Sequence, residues 1–179
     1  MRDAPTILKP MGNSAWLSRA VAQFLVSEAT AKAPLETGGV LLGYSAHPGS
    51  VPVILWASGP GPRAIHLRDY YRPDQRFDEA QIAEAYEQSG RRLSYLGDWH
   101  THVPPFPFLS ERDKRTLRRI ARCRSARVQS PVMLILTFDQ AWHPVVWQGT
   151  LTKGSIWGAQ LRVHELAVRV FSGRSSFSA

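Results

Sequence analysis

The 179-residue chain has a single cysteine, Cys123. An internal disulfide is therefore excluded, and so is a thiolate-rich metal site. No stretch approaches the ~18–20 consecutive apolar residues that span a bilayer. The N-terminal segment from Met1 to Trp16 lacks a continuous apolar centre and does not read as a secretory signal. There is no internal repeat and no linker long enough to divide the chain. These absences point to one soluble cytoplasmic domain over 1–179, with an ordered core from about 14 to 165 and a flexible tail at 172–179. Acidic residues are also scarce: 14 Asp and Glu face 22 Lys and Arg, a net charge of +8. That balance favours acidic partners and says nothing about fold. What the chain does have is an ordinary globular composition, 44% apolar and 20% charged, with enough length to bury a core.

Apolar periodicity sets out the elements. Leu17, Val21, Phe24 and Leu25 recur at helical spacing, which predicts an amphipathic helix from Ser14 to about Thr30, ended by Pro34. Val40–Tyr44 and the VPVILWAS run predict a β-hairpin, and AIHLRDYY a third strand. Ile82, Ala83 and Tyr86 mark a helix from about Asp74 to Arg91. LSYLGDWHTH reads as a strand and Ser110 to about Arg124 as a strongly basic helix. PVMLILTFD is a buried strand, followed by strands at AWHPVVWQGT and around Ile156–His164. The order is that of an α/β (α+β) single domain, a central mixed sheet flanked by helices.

The chemistry concentrates in His100-Thr101-His102, with Ser110 and Asp113 following. On a strand, residues two apart share a face, about 6.5–7 Å apart. Two imidazoles so placed can lean toward one ion. Asp113 falls in the first turn of the basic helix, and the Pro-rich connection from Val103 to Leu109 can fold that turn back over the strand end. Two nitrogens and one oxygen leave a fourth coordination position open, as in a catalytic rather than a structural zinc site. Such an ion acidifies water to near neutrality and polarises a carbonyl under attack. Hydrolysis then needs a proton shuttle. Glu36, beside Gly38-Gly39, is the best candidate, although spacing alone does not place it near the histidines. Ser110 is positioned to donate to an oxyanion. Each feature taken singly also has a plainer reading. Ser110 and Asp113 form a helix-capping pattern, and Glu36 alone is a loop carboxylate.

Taken together, Glu36-Thr-Gly-Gly-Val-Leu-Leu-Gly43, His100-Thr-His102, Ser110 and Asp113 resemble the JAMM motif of the JAB/MPN metalloprotease family, in its prokaryotic branch, over roughly residues 14–150. The chain has Val103 where the family commonly has proline. The resemblance implies a cytidine-deaminase-like architecture. It also implies His100, His102 and Asp113 as ligands of Zn2+, Glu36 as general acid/base and Ser110 as oxyanion helper. The implied activity is a zinc isopeptidase cutting after the C-terminal glycine of a ubiquitin-like protein, whose extended tail lies along a sheet edge. Deconjugation and precursor processing both fit, in a bacterial setting with E1- and E2-like conjugation enzymes as partners or in antiphage defence. Two alternatives stand beside this: a peptidase releasing an adduct from a sulfur carrier, and a non-enzymatic nucleic-acid-associated module.

The other reactive side chains read more plainly. His47, His66, His143 and His164 lack ligand spacing and are taken as structural or solvated. Asp98 shares strand parity with His100 and His102 and is either an imidazole-orienting partner or a polar strand residue. Cys123 reads as a small buried hydrophobe. Arg115, Arg118, Arg119 and Arg122 form one continuous basic face beside Lys114, either solvated or docking an acidic partner. That helix has no interleaved aromatics, which favours a protein over nucleic acid.

Overall fold

The structure is a computed structural model that describes residues 13–47, 50–103, 105–152 and 159–172. The predicted tail beyond Ser172 and the start of the last predicted strand, Ile156 included, lie outside the described residues. The elements run β1 (Ser14–Ser18), α1 (Arg19–Lys32), β2 (Gly38–Tyr44), β3 (Val53–Ala57), β4 (Ile65–His66), β5 (Tyr71–Arg72), α2 (Gln75–Gln88), β6 (Ser94–His102), α3 (Glu111–Arg122), β7 (Val132–Asp139), β8 (Ala141–Thr152) and β9 (Gln160–Phe171). Seven strands pair in the order β1-β3-β2-β6-β7-β8-β9, and β1 pairs with β9 to close the sheet. The pairing is mixed: β1–β3, β1–β9 and β6–β7 are parallel, the others antiparallel.

Two faces of the sheet are covered by different helices. On the inner face α1 buries Val21, Leu25 and Ala29 against Leu41, Ile54, Trp99, Leu134 and Leu136. On the outer face α2 packs Ala85 and Ile82 against Val40 and Leu42, while α3 packs Leu117 against Met133 and Ile135. The expected α/β layering and central mixed sheet are present.

The first predicted helix is shorter than expected. Ser14–Ser18 is a strand, and the helix begins at Arg19 with Ser18 Oγ accepting from Val21 N. Leu17 satisfies both patterns, since it precedes Val21 by one turn and also alternates with Ala15 toward the core. Pairing with β3 and with β9, about 150 residues away in sequence, decides for strand. AIHLRDYY forms not one strand but the tight β4–β5 hairpin, closed by Leu67 N donating to Tyr70 O. In α2 it is Ala85, not Ala83, that packs inward, and Ala83 is exposed.

One irregularity sets up the site. Along β6, Gly97 pairs with Leu41 but Tyr95 pairs with Leu42, so β6 carries an extra residue there. The bulge lets Leu96 and Trp99 both join the inner core. Asp98, His100 and His102 then point to the outer face, between α2 and α3.

Candidate metal centre

Strand β6 presents His100 and His102 side by side, with their Nε2 atoms 2.9 Å apart. Helix α3 brings Asp113 to the pair: its Oδ1 lies 3.4 Å from His100 Nε2 and its Oδ2 3.6 Å from His102 Nε2. All three donor atoms fall within 4.8 Å of one another. Four ligands at ~2.0–2.2 Å in a tetrahedron stand roughly 3.3–3.5 Å apart, so the observed separations fit a zinc-sized ion. The protonation states of His100 and Asp113 fit as well, and that of His102 is the exception. Burial pushes His100 down to about 4, so its ring is neutral. Burial opposes ionisation of Asp113, yet pairing with His102, the neighbouring His100 ring and hydrogen bonds from Ser110 hold it down at about 2. Burial also pushes His102 down, but its contacts with Asp113 and the Phe106 carbonyl outweigh this and raise it. A cation taken up there would displace any proton from His102 Nε2.

Two of the three candidate ligands, His102 and Asp113, are oriented by neighbours. His102 Nδ1 donates to Phe106 O at 2.6 Å, which fixes the tautomer and leaves Nε2 toward the site. The loop that supplies Phe106 is itself pinned by Trp147 Nε1 donating to Pro107 O. Asp113 is held by a capping box: Ser110 N and Ser110 Oγ both donate to Asp113 Oδ2, and Asp113 N donates back to Ser110 Oγ. The expected cap is present, at the residue also expected as a ligand. The Ser110 hydroxyl proton is directed at Asp113, so an oxyanion role requires it to turn away.

Glu36 enters from the end of β2. Gly38 pairs with His100, and Thr37 is locked to Thr101 by Thr101 N donating to Thr37 O and Thr37 N donating to Thr101 Oγ1. Continuing that antiparallel register by one residue sets Glu36 across from His102, on the same face. Gly38 is required for this approach, because a Cβ there would stand 2.4 Å from Trp99 O and 2.6 Å from the Tyr71 ring. The β4–β5 hairpin grips the Glu36 backbone on both sides: Glu36 N donates to Leu67 O, and His66 Nδ1 donates to Glu36 O. Arg112 stacks 4.2 Å over the Tyr70 ring and so ties that hairpin to the first turn of α3. Burial, opposed by the His102 charge and reinforced by Asp113, raises Glu36 to about 7. A carboxyl poised there takes and returns protons near neutral pH.

Asp98 takes the second of its two expected parts, that of a polar strand residue, and Cys123 departs from its own. Asp98 does not orient an imidazole; it accepts from Tyr95 Oη at 2.5 Å. Cys123 is exposed at the end of α3, with Sγ 3.1 Å from Ser125 Oγ. The supporting parts played by His66, Arg112, Tyr70 and the Phe106 carbonyl carry no motif. The prolines of the 103–109 loop were the only local sign that its backbone is stiff enough to orient a ligand.

Beside the site lies a pair of acids with a different consequence. Asp78 is buried, and its Oδ1 has no hydrogen-bond partner among the described residues. Burial, then the charge of Asp98, raises it to about 7, and burial raises Asp98 to about 6. Unfolded, both titrate near ~4. Between those values the folded chain holds more protons than the unfolded one, so stability is greatest below pH ~4 for these groups and falls as pH rises toward 7. With both proteins in excess chelator, Asp78→Asn is expected to be roughly 1–3 kcal/mol more stable than wild type at pH 8. It should also lose less stability between pH 5 and 8 in urea titrations. Equal pH slopes would contradict this.

Comparison with known proteins agrees with the geometry. The family described as "Prokaryotic homologs of the JAB domain" matches residues 18–149. The chain is 35% identical over 145 residues to the "Probable metalloprotease y4qB" of Sinorhizobium fredii, covering 79% of this chain and 87% of that protein. A "CD-NTase/cGAS isopeptidase" of Vibrio cholerae is 37% identical over 86 residues, 47% of this chain and 53% of the other. One of the same name from Enterobacter hormaechei is 29% identical over 125 residues, 70% and 68% of the two chains. A solution structure of a Desulfitobacterium hafniense protein shares the fold, with a TM-score of 0.62 at 16% identity, covering 90% of this chain and 95% of that one. The family match takes in every residue of the cluster from Glu36 to Asp113, and the chain belongs to the prokaryotic JAB-domain family.

Proposed function

We propose that this chain is a zinc-dependent peptidase that cuts after the C-terminal glycine of a ubiquitin-like protein, freeing a conjugate or maturing a precursor. The observation that carries the reading is the convergence of His100, His102 and Asp113, with Glu36 set across from His102. The coarser activity, a metal-dependent hydrolase of JAB type, accords with relatives named metalloprotease and isopeptidase. The names of two relatives also support an isopeptide bond as the bond that is cut. A non-enzymatic nucleic-acid module has no use for three convergent donors and a carboxyl raised to about 7. No helix among the described residues is long and apolar enough to cross a membrane.

Bound zinc would polarise the scissile carbonyl and acidify water toward neutrality. The chain's own side chains do the remainder. Glu36 accepts the proton of the attacking water on its carboxylate and returns it to the departing nitrogen, which needs that proton to leave as a neutral amine. His100 and His102 would hold the cation through Nε2 atoms free of protons, with Asp113 as the third donor. Ser110 holds the Asp113 carboxylate in place. The test is cleavage of a bacterial ubiquitin-like protein joined through its terminal glycine to a reporter, in linear and lysine-linked forms. The reporter should be released, release should stop with a chelator and it should resume with added zinc. Release that ignores the chelator, or none from either linkage, would overturn the proposal.

A further inference from the structure

Helix α3 has two unlike sides. Leu117 and Ile120 are buried. The outward side carries Arg115, Arg118, Arg119 and Arg122, which with Cys123 line an open depression of about 440 Å³. At 1.5 Å per residue the arginines extend over roughly 10 Å of helix. Among the described residues no carboxylate forms an ion pair with any of the four. Arg119 is exposed like Arg115 and Arg122, and its charge also acts on Asp98, whereas Arg118 is half-buried. Like charges three and four residues apart repel by a few tenths of a kcal/mol per pair. Two such pairs at each spacing therefore work against the free helix. An anionic surface laid along the helix would reverse the sign of that effect, and guanidinium groups are suited to gripping carboxylates in pairs.

Two anionic macromolecules satisfy that requirement, and the neighbouring surface distinguishes them. Across β6 from α3 stands α2, which carries Asp78, Glu79, Glu84 and Glu87 against the one cation Arg76. A phosphate backbone leaving α3 in that direction would meet carboxylates. The sequence of α3 holds no aromatic side chain on which a base could stack. A short acidic stretch on a folded protein needs neither a broad positive field nor stacking. Its placement is also informative. The arginines begin two residues after Asp113 on the same helix, so a body docked there lies within roughly 15 Å of the metal ligands.

We propose that the arginine face of α3 is the docking site for an acidic segment of the protein substrate, three or four carboxylates long, that anchors the substrate beside the metal centre. The identity of the docked body as substrate rests on the proposed function; the charge selectivity of the face does not. The test therefore reads binding and not cleavage. Arg115, Arg118 and Arg122 are changed to Glu, sparing Arg119, and a control carries the same charge change at the exposed Arg76, Arg162 and Arg169. The probes are a fluorescent polyglutamate peptide of roughly twelve residues and a short DNA duplex, each at about 0.1 M salt. Wild type and control should bind the peptide alike and in preference to the duplex, and the α3 variant should bind it at least about tenfold more weakly. Equal losses in the two variants, no binding by wild type, or a preference for the duplex would overturn the proposal. Should the triple variant fail to fold, Arg115→Glu and Arg122→Glu singly should each weaken binding about two- to threefold, and unchanged binding in both would overturn it equally.

Discussion

Glu36→Gln is expected to lower kcat by roughly 10²–10⁴-fold, with KM and zinc content close to wild type. The amide keeps the shape of the carboxyl and removes only its capacity to take a proton. The backbone at this position is held by His66 and Leu67 through main-chain groups that the substitution leaves alone. Glu36 also lies outside the three-donor cluster, so the side chains proposed to bind the cation stay where they are. Loss of turnover together with loss of zinc would instead mean that Glu36 is structural. A variant retaining more than about a tenth of wild-type turnover would remove Glu36 from the chemistry altogether.

Gly97→Ala is expected to be the most damaging small substitution on β6. Gly97 has φ of +152°, which side chains rarely adopt, and an added Cβ would stand 1.9 Å from Val132 O. That oxygen belongs to the paired strand β7 and has nowhere to go. Strain and overpacking of this kind cost about 3 kcal/mol or more. In a chain of this size that corresponds to a fall in Tm of roughly 6–12 °C. The bulge also decides that His100 and His102 face α3, so zinc affinity should fall along with stability. A Tm within about 2 °C of wild type and normal zinc uptake would show that the bulge is dispensable.

Sequence and structure agree most where interactions are local. His100, His102, Ser110 and Asp113 lie within fourteen consecutive residues, on a strand and the helix after it, and their side chains are used as the period of each element dictates. Glu36 was recognisable only through its Gly-Gly context, because its position depends on β2 pairing with β6 across about 64 residues. Ser14–Ser18 was misread as helix for the same reason: its strand character comes from β9, at the opposite end of the chain. The hairpin at Ile65–Arg72, which clamps Glu36, left no periodic trace because each strand is two residues long. Cys123 was expected to be buried on residue preference alone, but it falls at the helix terminus, past the last inward turn.

The proposed hydrolysis depends most on three side chains from two elements binding a single cation. Calorimetric titration of metal-free protein with zinc tests this directly, with Asp113→Ala alongside wild type. Wild type should bind one equivalent, and the variant should bind it at least about 100-fold more weakly while remaining folded. Equal affinity in the two proteins, or no saturable binding to wild type, would contradict it.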